Sequence, residues 1–317
     1  MEKVVNLGIP HVGEHIFASI NTPDLVKFLE VSETWKVLAE NVLIKRWKGK
    51  MFEACENGEI KVVQLLLENF NCEENGLNVR DKHGMTVFVR ACHYGNKDIV
   101  KVLLDHSDRN IDLNARNSDG LTGFMVACKD GHKDVVELLL DHYDQIELNA
   151  KDNMEWTAFM HACDNGHKDV VQLLQDHSDR GIELNARDNG GKTAFMRACF
   201  DGRTDIVKLL LDISDTYIDL NTGNSNGLTG FMAACRNGHK DIVKLLLDLS
   251  DRNIDLNARN DATWTAFIFA CFDGFKDVVH LLLDHSDIDL NARTHSGWTG
   301  FFKACYNGWE DVIELLL

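Results

Sequence analysis

The stretch "NARNSDGLTGFMVACKDGHKDVVELLLDHYDQIE" (114–147) holds two helical signatures joined by a single glycine. Thr122 is the residue type that caps a helix N-terminus, and it predicts a short helix through Ala127 and Cys128. Gly131 fits the left-handed position just past that helix's end. "HKDVVELLL" then opens a second helix, with Asp134 in the first turn, where the helix dipole favours a carboxylate. Val135, Val136, Leu138, Leu139 and Leu140 give this second helix a broad apolar face. Upstream, "LNARNSDGL" reads as an extended excursion turned by Asp119-Gly120.

The pattern recurs along the chain. Aligned on their Ala-Cys pairs, Cys55, Cys92, Cys128, Cys163, Cys199, Cys235, Cys271 and Cys305 follow one another at spacings of 34 to 37 residues, each with a glycine three positions on. A period of this size marks stacked supersecondary units. The fold class it implies is all-α: an α-solenoid of eight units with short β-hairpin loops between them. The first unit lacks a hairpin of its own. The last ends on the apolar "WEDVIELLL", where a terminal repeat normally turns a polar face outward, so that end is expected to continue or to meet another chain or domain.

Charge and cysteine usage narrow the function. The net charge of −17 argues against a nucleic acid or an anionic membrane as partner, and residues 1–50, with seven Lys/Arg and six Asp/Glu, stand apart from the acidic remainder. No apolar run approaches the roughly 18 residues of a membrane span, and "MEKVVNLGIPHVGEH" lacks the apolar core of a signal peptide. Equivalent positions in stacked helices lie about 8–10 Å apart, beyond the roughly 7 Å limit for a disulfide. The eight phased cysteines therefore read as small buried hydrophobes in a reducing compartment, cytoplasmic or nuclear, with Cys72 a loop thiol outside the pattern. The Cys128/His132, Cys163/His167 and Cys235/His239 pairs lie one repeat apart and do not bring four ligands together, so no metal is expected. The chain has no Gly-rich phosphate loop, no nucleophile elbow and no paired carboxylates outside the repeat phase. That pattern implies neither an enzyme nor a cofactor or small-molecule substrate.

Over residues 51–317 the sequence resembles the ankyrin repeat. The family pattern T-P-L-H-x-A-A-x-x-G-H-x-x-V-V-x-L-L-L appears as "TAFMHACDNGHKDVVQLL" (157–174). Here Val, Gly or Ala replaces the proline, and the family's histidine becomes Val89, Met125, Met160, Met196, Met232, Ile268 or Phe302. The second alanine is always cysteine, and linkers such as "DHSDRNIDLNA" are about three residues longer than usual. Asn114, Asn149, Asn185 and Asn257 sit where ankyrin asparagines are sometimes hydroxylated; side-chain bonding to turn backbone is the competing reading.

The resemblance places a concave groove along the hairpin tips and the exposed side of each first helix. Carried onto this chain, its target-binding candidates are Met85, Tyr94, Trp156, Arg197, Phe200, Arg236, Trp264, Phe269, Phe272, Trp298 and Tyr306. These make a mixed-charge face with aromatic anchors of the kind that carry binding hot spots. Some of the aromatics, Phe269 above all, read equally as packing residues.

Residues 9–47 resemble an F-box, the motif by which substrate adaptors dock on the Skp-type linker of cullin–RING ubiquitin ligases. Its pattern falls on Ile9-Pro10, Ile16-Phe17, Asp24-Leu25 and Val31-Ser32 with Trp35; one residue is missing before Ile16, and Ser32 replaces a cysteine. The organisation expected is an F-box-like helical motif over 1–48 and an ankyrin-repeat domain over 49–317. The function expected is a non-catalytic substrate-recognition adaptor, with Ile9, Pro10, Ile16, Phe17, Leu25, Val31 and Trp35 on the linker and the groove on an unidentified protein target. The alternative is an ankyrin scaffold or inhibitor whose opening helices only cap the stack.

Overall fold

A threonine sets the start of nearly every first helix. The Oγ1 of Thr86, Thr122, Thr157, Thr193, Thr229, Thr265 and Thr299 accepts from the backbone N–H three residues on, at 3.3 to 3.4 Å, the N-cap geometry expected for Thr122. The computed structural model describes residues 51–69, 77–212, 218–249 and 254–317. The opening segment with its F-box-like residues, and Cys72, lie outside them.

Among the described residues there are sixteen α-helices and no strands, paired as a first and a second helix per repeat. They are α1 (Met51–Asn57), α2 (Ile60–Asn69), α3 (Val87–His93), α4 (Lys97–Asp105), α5 (Gly123–Asp130), α6 (Lys133–Leu140), α7 (Ala158–Asn165) and α8 (Lys168–Asp176). The series continues with α9 (Ala194–Phe200), α10 (Thr204–Asp212), α11 (Gly230–Arg236), α12 (Lys240–Asp248), α13 (Ala266–Asp273), α14 (Lys276–Leu283), α15 (Gly300–Asn307) and α16 (Glu310–Leu316). The chain divides into two compact units, one of residues up to Ala127 with His132–Glu147, the other of Cys128–Gly131 with Leu148–Leu317. In the first, α1 packs on α3, and α2, α4 and α6 stack in order. In the second, the first helices stack from α7 to α15 and the second helices from α8 to α16.

The hairpins take the form of closed turns. Asn117 shows why: its Oδ1 accepts from the N–H of Asp119 (3.0 Å) and of Leu121 (2.9 Å), while its own N–H donates to the Leu121 carbonyl (2.9 Å). Asp81, Asp152, Asp188, Asn224 and Asn260 do the same in their repeats. One carboxylate or amide oxygen thus fixes each of these fingers without a ladder of strand hydrogen bonds, and the Thr294 hydroxyl takes that part in the finger before α15. The extra linker residues form 3-10 turns at Ser107–Arg109 and Ser178–Arg180, which end in the left-handed residues Asn110 and Gly181.

The linker asparagines are stapled into the next repeat. Asn149 donates to the Gly181 carbonyl (2.7 Å) and accepts from the Glu183 N–H (2.8 Å); Asn114 does so with Gln145 and Glu147, and Asn257 with Asp287 and Asp289. Both ends of each amide are therefore used on backbone. The histidines of the Cys-x3-His pairs are committed likewise. His132, His167 and His239 each place Nε2 2.8 Å from a carbonyl of the preceding repeat, of His93, Lys129 and Phe200 respectively.

The phased cysteines Cys55 to Cys271 are buried free thiols, as expected; Cys305, in the last repeat of the chain, is exposed. Burial pushes the Cys55 and Cys271 thiols up to about 12, so they behave as inert small hydrophobes. Each interrepeat junction also needs a glycine. Gly131 has φ +78°, and a Cβ there would lie 2.4 Å from Nδ1 of His167. Gly181, at φ +84°, faces open space. Gly181→Ala should therefore cost roughly 1–3 kcal/mol for the backbone conformation alone, and Gly131→Ala clearly more. Urea unfolding of the two variants checks this; equal losses would show that the His167 ring yields freely.

Candidate target-binding face

The expected groove residues occupy the first helices and finger tips of both units, and the larger set lies within the second. There the side chains form alternating layers of rings and cations. The Arg197 guanidinium carbon lies 3.6 Å from the centroid of Trp156, which also packs on His161 with centroids 5.1 Å apart. The Lys192 ammonium is 4.6 Å from the Phe200 ring, and Arg236 lies 5.5 Å over Phe269. Trp264 packs on Phe269 (5.0 Å) and edge-on to Phe272 (5.1 Å). The Lys303 ammonium then lies among three rings, 4.1 Å from Trp298, 4.6 Å from Trp264 and 5.4 Å from Phe272. On its other side Trp298 packs on Phe302 (4.6 Å) and Tyr306 (5.4 Å). A cation set over a ring face is worth about 0.5–1 kcal/mol when exposed and about 2 when desolvated. The layers therefore hold the rings in place while leaving their edges free.

Exposure sorts the candidates. Tyr306 (68%), Tyr94 (40%) and Phe200 (37%) are open to solvent, as is Arg236. Met85, Trp156, Arg197, Trp264, Phe272 and Trp298 are half-buried, and Phe269 is buried at 7%, so its bulk goes into packing. Trp264, Phe269, Phe272 and Arg236 meet at one cleft of about 360 Å³. In the first unit, Tyr94 flanks Arg90, which bridges Glu56 (2.7 Å) and Asp81. A hydrogen bond to Glu56 raises the Tyr94 phenol above its ordinary range.

Sequence reasoning missed the anchoring beneath this face. Position nine after the finger-closing residue is basic wherever that residue is aspartate: Asp81 with Arg90, Asp152 with His161, Asp188 with Arg197. Where it is asparagine, at 117, 224 and 260, the partner is Val126, Ala233 or Phe269. A second carboxylate oxygen under the finger needs a donor, which Arg90 and Arg197 supply as cations and His161 as a ring N–H; an amide does not need one there. The Asp188 side chain, 5% exposed, takes Arg197 Nη2 at 3.1 Å and Nε at 3.2 Å, and Asp164 adds a contact at 3.8 Å. Lys303 was also missed, because two of its three aromatic neighbours, Trp264 and Phe272, come from the preceding repeat.

Backbone strain marks the same face. Glu155 and Thr263 hold the left-handed tip conformation (φ 63° and 60°) that glycine holds in the other fingers, and each immediately precedes a tryptophan of the layers. A β-branched residue such as Thr263 is an outlier there.

The family model "Ankyrin repeats (3 copies)" matches in overlapping blocks from residue 15 to 317: 15–117, 51–152, 107–188, 145–222, 180–260 and 249–317. The chain belongs to the ankyrin-repeat family. Among solved structures it is similar to the crystal structure of the ankyrin repeat domain of Bcl-3, described as a unique member of the IkappaB protein family. The TM-score is 0.64 at 21% identity, over 74% of this chain and 97% of that one, a likeness of fold. No curated protein matches the sequence. Ankyrin repeats are protein-interaction scaffolds, and that is the general role of this chain. Among the described residues, no helix is long and apolar enough to cross a membrane.

Two outcomes follow from the anchoring pairs. Arg197→Met strands the Asp188 carboxylate and should lower stability by about 2–4 kcal/mol. Asp188→Asn with Arg197→Met, which reproduces the arrangement at 117 and 126, should restore most of that in urea unfolding. Equal losses in the single and double variants would mean the carboxylate does not need its cation. His161 is held below the ordinary imidazole range, first by burial, with Asp152 opposing. The unfolded chain accepts this proton near pH 6.5 and the folded state resists it. The site's contribution is therefore complete above that pH and lost as pH falls below it. His161→Arg, charged throughout, should lose less of its urea midpoint than wild type between about pH 7.5 and about pH 5.5.

Proposed function

We propose that the chain captures a protein target on the ring-and-cation face of its second unit. The observation that carries this is the Lys303 layer: three half-buried rings are arranged around one ammonium. Rigid aromatic anchors with exposed edges are what protein interfaces use as hot spots. No catalytic step is assigned to the chain.

The finer reading is a substrate adaptor whose residues 9–35 dock on the Skp-type linker of a cullin–RING ligase. Its support is the sequence alone: Ile9-Pro10, Ile16-Phe17, Leu25, Val31 and Trp35 at F-box-like spacing. Catalysis would then come from proximity supplied by other subunits. One observation favours the rival, a scaffold with a helical cap: the family match begins at residue 15, inside that segment. The division of the chain at residues 48 and 49 belongs to the adaptor reading. An intracellular, reducing setting is proposed on the run of free, buried thiols.

Two measurements separate these readings. Proximity labelling in cells should lose its target set when Trp264, Phe272 and Trp298 are replaced by alanine while helix content is kept; an unchanged set would put the target elsewhere. Purified protein should retain the linker subunit in a pulldown, and Leu25→Asp with Trp35→Ala should abolish retention. No retention by the wild type, or equal retention by both, leaves the scaffold.

A further inference from the structure

The cleft lined by Leu228, Arg236, Trp264, Phe269, Phe272 and Asp273 contains one group the fold leaves unused. Asp273 ends α13, and its Oδ2 is screened from solvent without a hydrogen-bond partner. The residues at the equivalent place one repeat before and after are asparagines, and both are spent on backbone. Asn237 donates to the Phe200 carbonyl (3.1 Å), and Asn307 to the Phe272 carbonyl (2.7 Å). A carboxylate has no N–H to give, so Asp273 cannot make that bond. Burial raises its pKa, with Arg236 pulling the other way, and a buried acceptor left unpaired is costly.

The walls fit a cation. Trp264 and Phe272, which line the cleft, already hold the Lys303 ammonium. Arg236 is exposed and rests over Phe269, so it leaves Asp273 Oδ2 without a donor. A volume of about 360 Å³ is at the small end of ligand sites and suits one side chain, not a folded element. We infer that this cleft receives a basic side chain, lysine or arginine, of the captured polypeptide, its charge on Asp273 and its stem along Trp264 and Phe272. The inference rests on the reading of this face as the target-binding one, and it specifies that the target presents a basic residue there. A carboxylate drawn in by Arg236 is the opposing outcome.

Two probes of equal chain length and opposite charge decide between them. The full chain would be titrated with n-butylammonium chloride and, separately, with sodium butyrate. The readout is the indole N–H resonance of Trp264 in NMR spectra, assigned with Trp264→Phe. Butylammonium should give a saturable shift and butyrate none. Asp273→Asn should weaken the butylammonium response about tenfold, whereas Asp273→Glu, which keeps the charge, should retain it within a few-fold. The remaining indole resonances report that both variants stay folded. A saturable butyrate response, no butylammonium response, or equal butylammonium binding by wild type and Asp273→Asn would overturn the inference. If butylammonium fails to bind while the triple alanine variant still loses its labelled partners, the target-binding face stands and only the cationic occupant is wrong.

Discussion

The close approach of successive first helices is the constraint on which the structure depends. Where α5 begins, a Cβ on Gly123 would lie 2.9 Å from the Phe88 ring and 3.0 Å from Cys92 Sγ. Gly230 meets Phe195 and Cys199 in the same way, and Gly300 meets Phe267 and Cys271. Small residues at the start of one helix and a thiol near the end of its neighbour therefore set the spacing between repeats within each unit. At Gly123, Gly230 and Gly300 a bulkier side chain would push against the ring and thiol of the preceding first helix. The histidine-to-carbonyl contacts at 2.8 Å and the two-ended asparagine staples have no slack for such a shift.

The same spacing builds the face of rings and cations. Trp156 comes from one repeat and Arg197 from the next; Trp264 and Lys303 are related in the same way. Neither ring would have its cation if the first helices stood further apart. Lys192, Arg236 and Lys303 lie over rings, whereas Arg90 and Arg197 are tied to carboxylates as well. An acidic chain thus presents a mixed-charge face in which aromatic rings and cations alternate, with Asp164, Asp188 and Asp273 among them.

What was legible in the sequence was what depends on near neighbours. Thr122 as a cap, Gly131 as a left-handed terminus and the burial of Cys128 each follow from residue type and helical phase. The phasing of eight Ala-Cys pairs was enough to give the solenoid class. The face was only half legible. Trp156, Trp264 and Trp298 stood out as large residues at variable positions, but the cations over Trp156 and Trp264 lie in the following repeat, and nothing local announces that Lys303 serves three rings. The unmet oxygen of Asp273 is visible only beside Asn237 and Asn307 in three dimensions. The Asp-to-basic rule was present in the sequence as a correlation between positions nine apart, and it needed the buried geometry of Asp188 to give it meaning.

That rule has a consequence for how such a chain grows. Both members of each pair, such as Asp188 and Arg197, fall inside a single repeat, ahead of its second helix. A tandem duplication of one period therefore copies a buried carboxylate together with the cation that neutralises it. A later exchange of the pair for asparagine and an apolar residue changes only that repeat. Electrical balance is inherited with the module, so the array can lengthen or shorten by whole repeats without leaving an uncompensated charge in its interior, and the residues displayed on the outer face remain free to diverge.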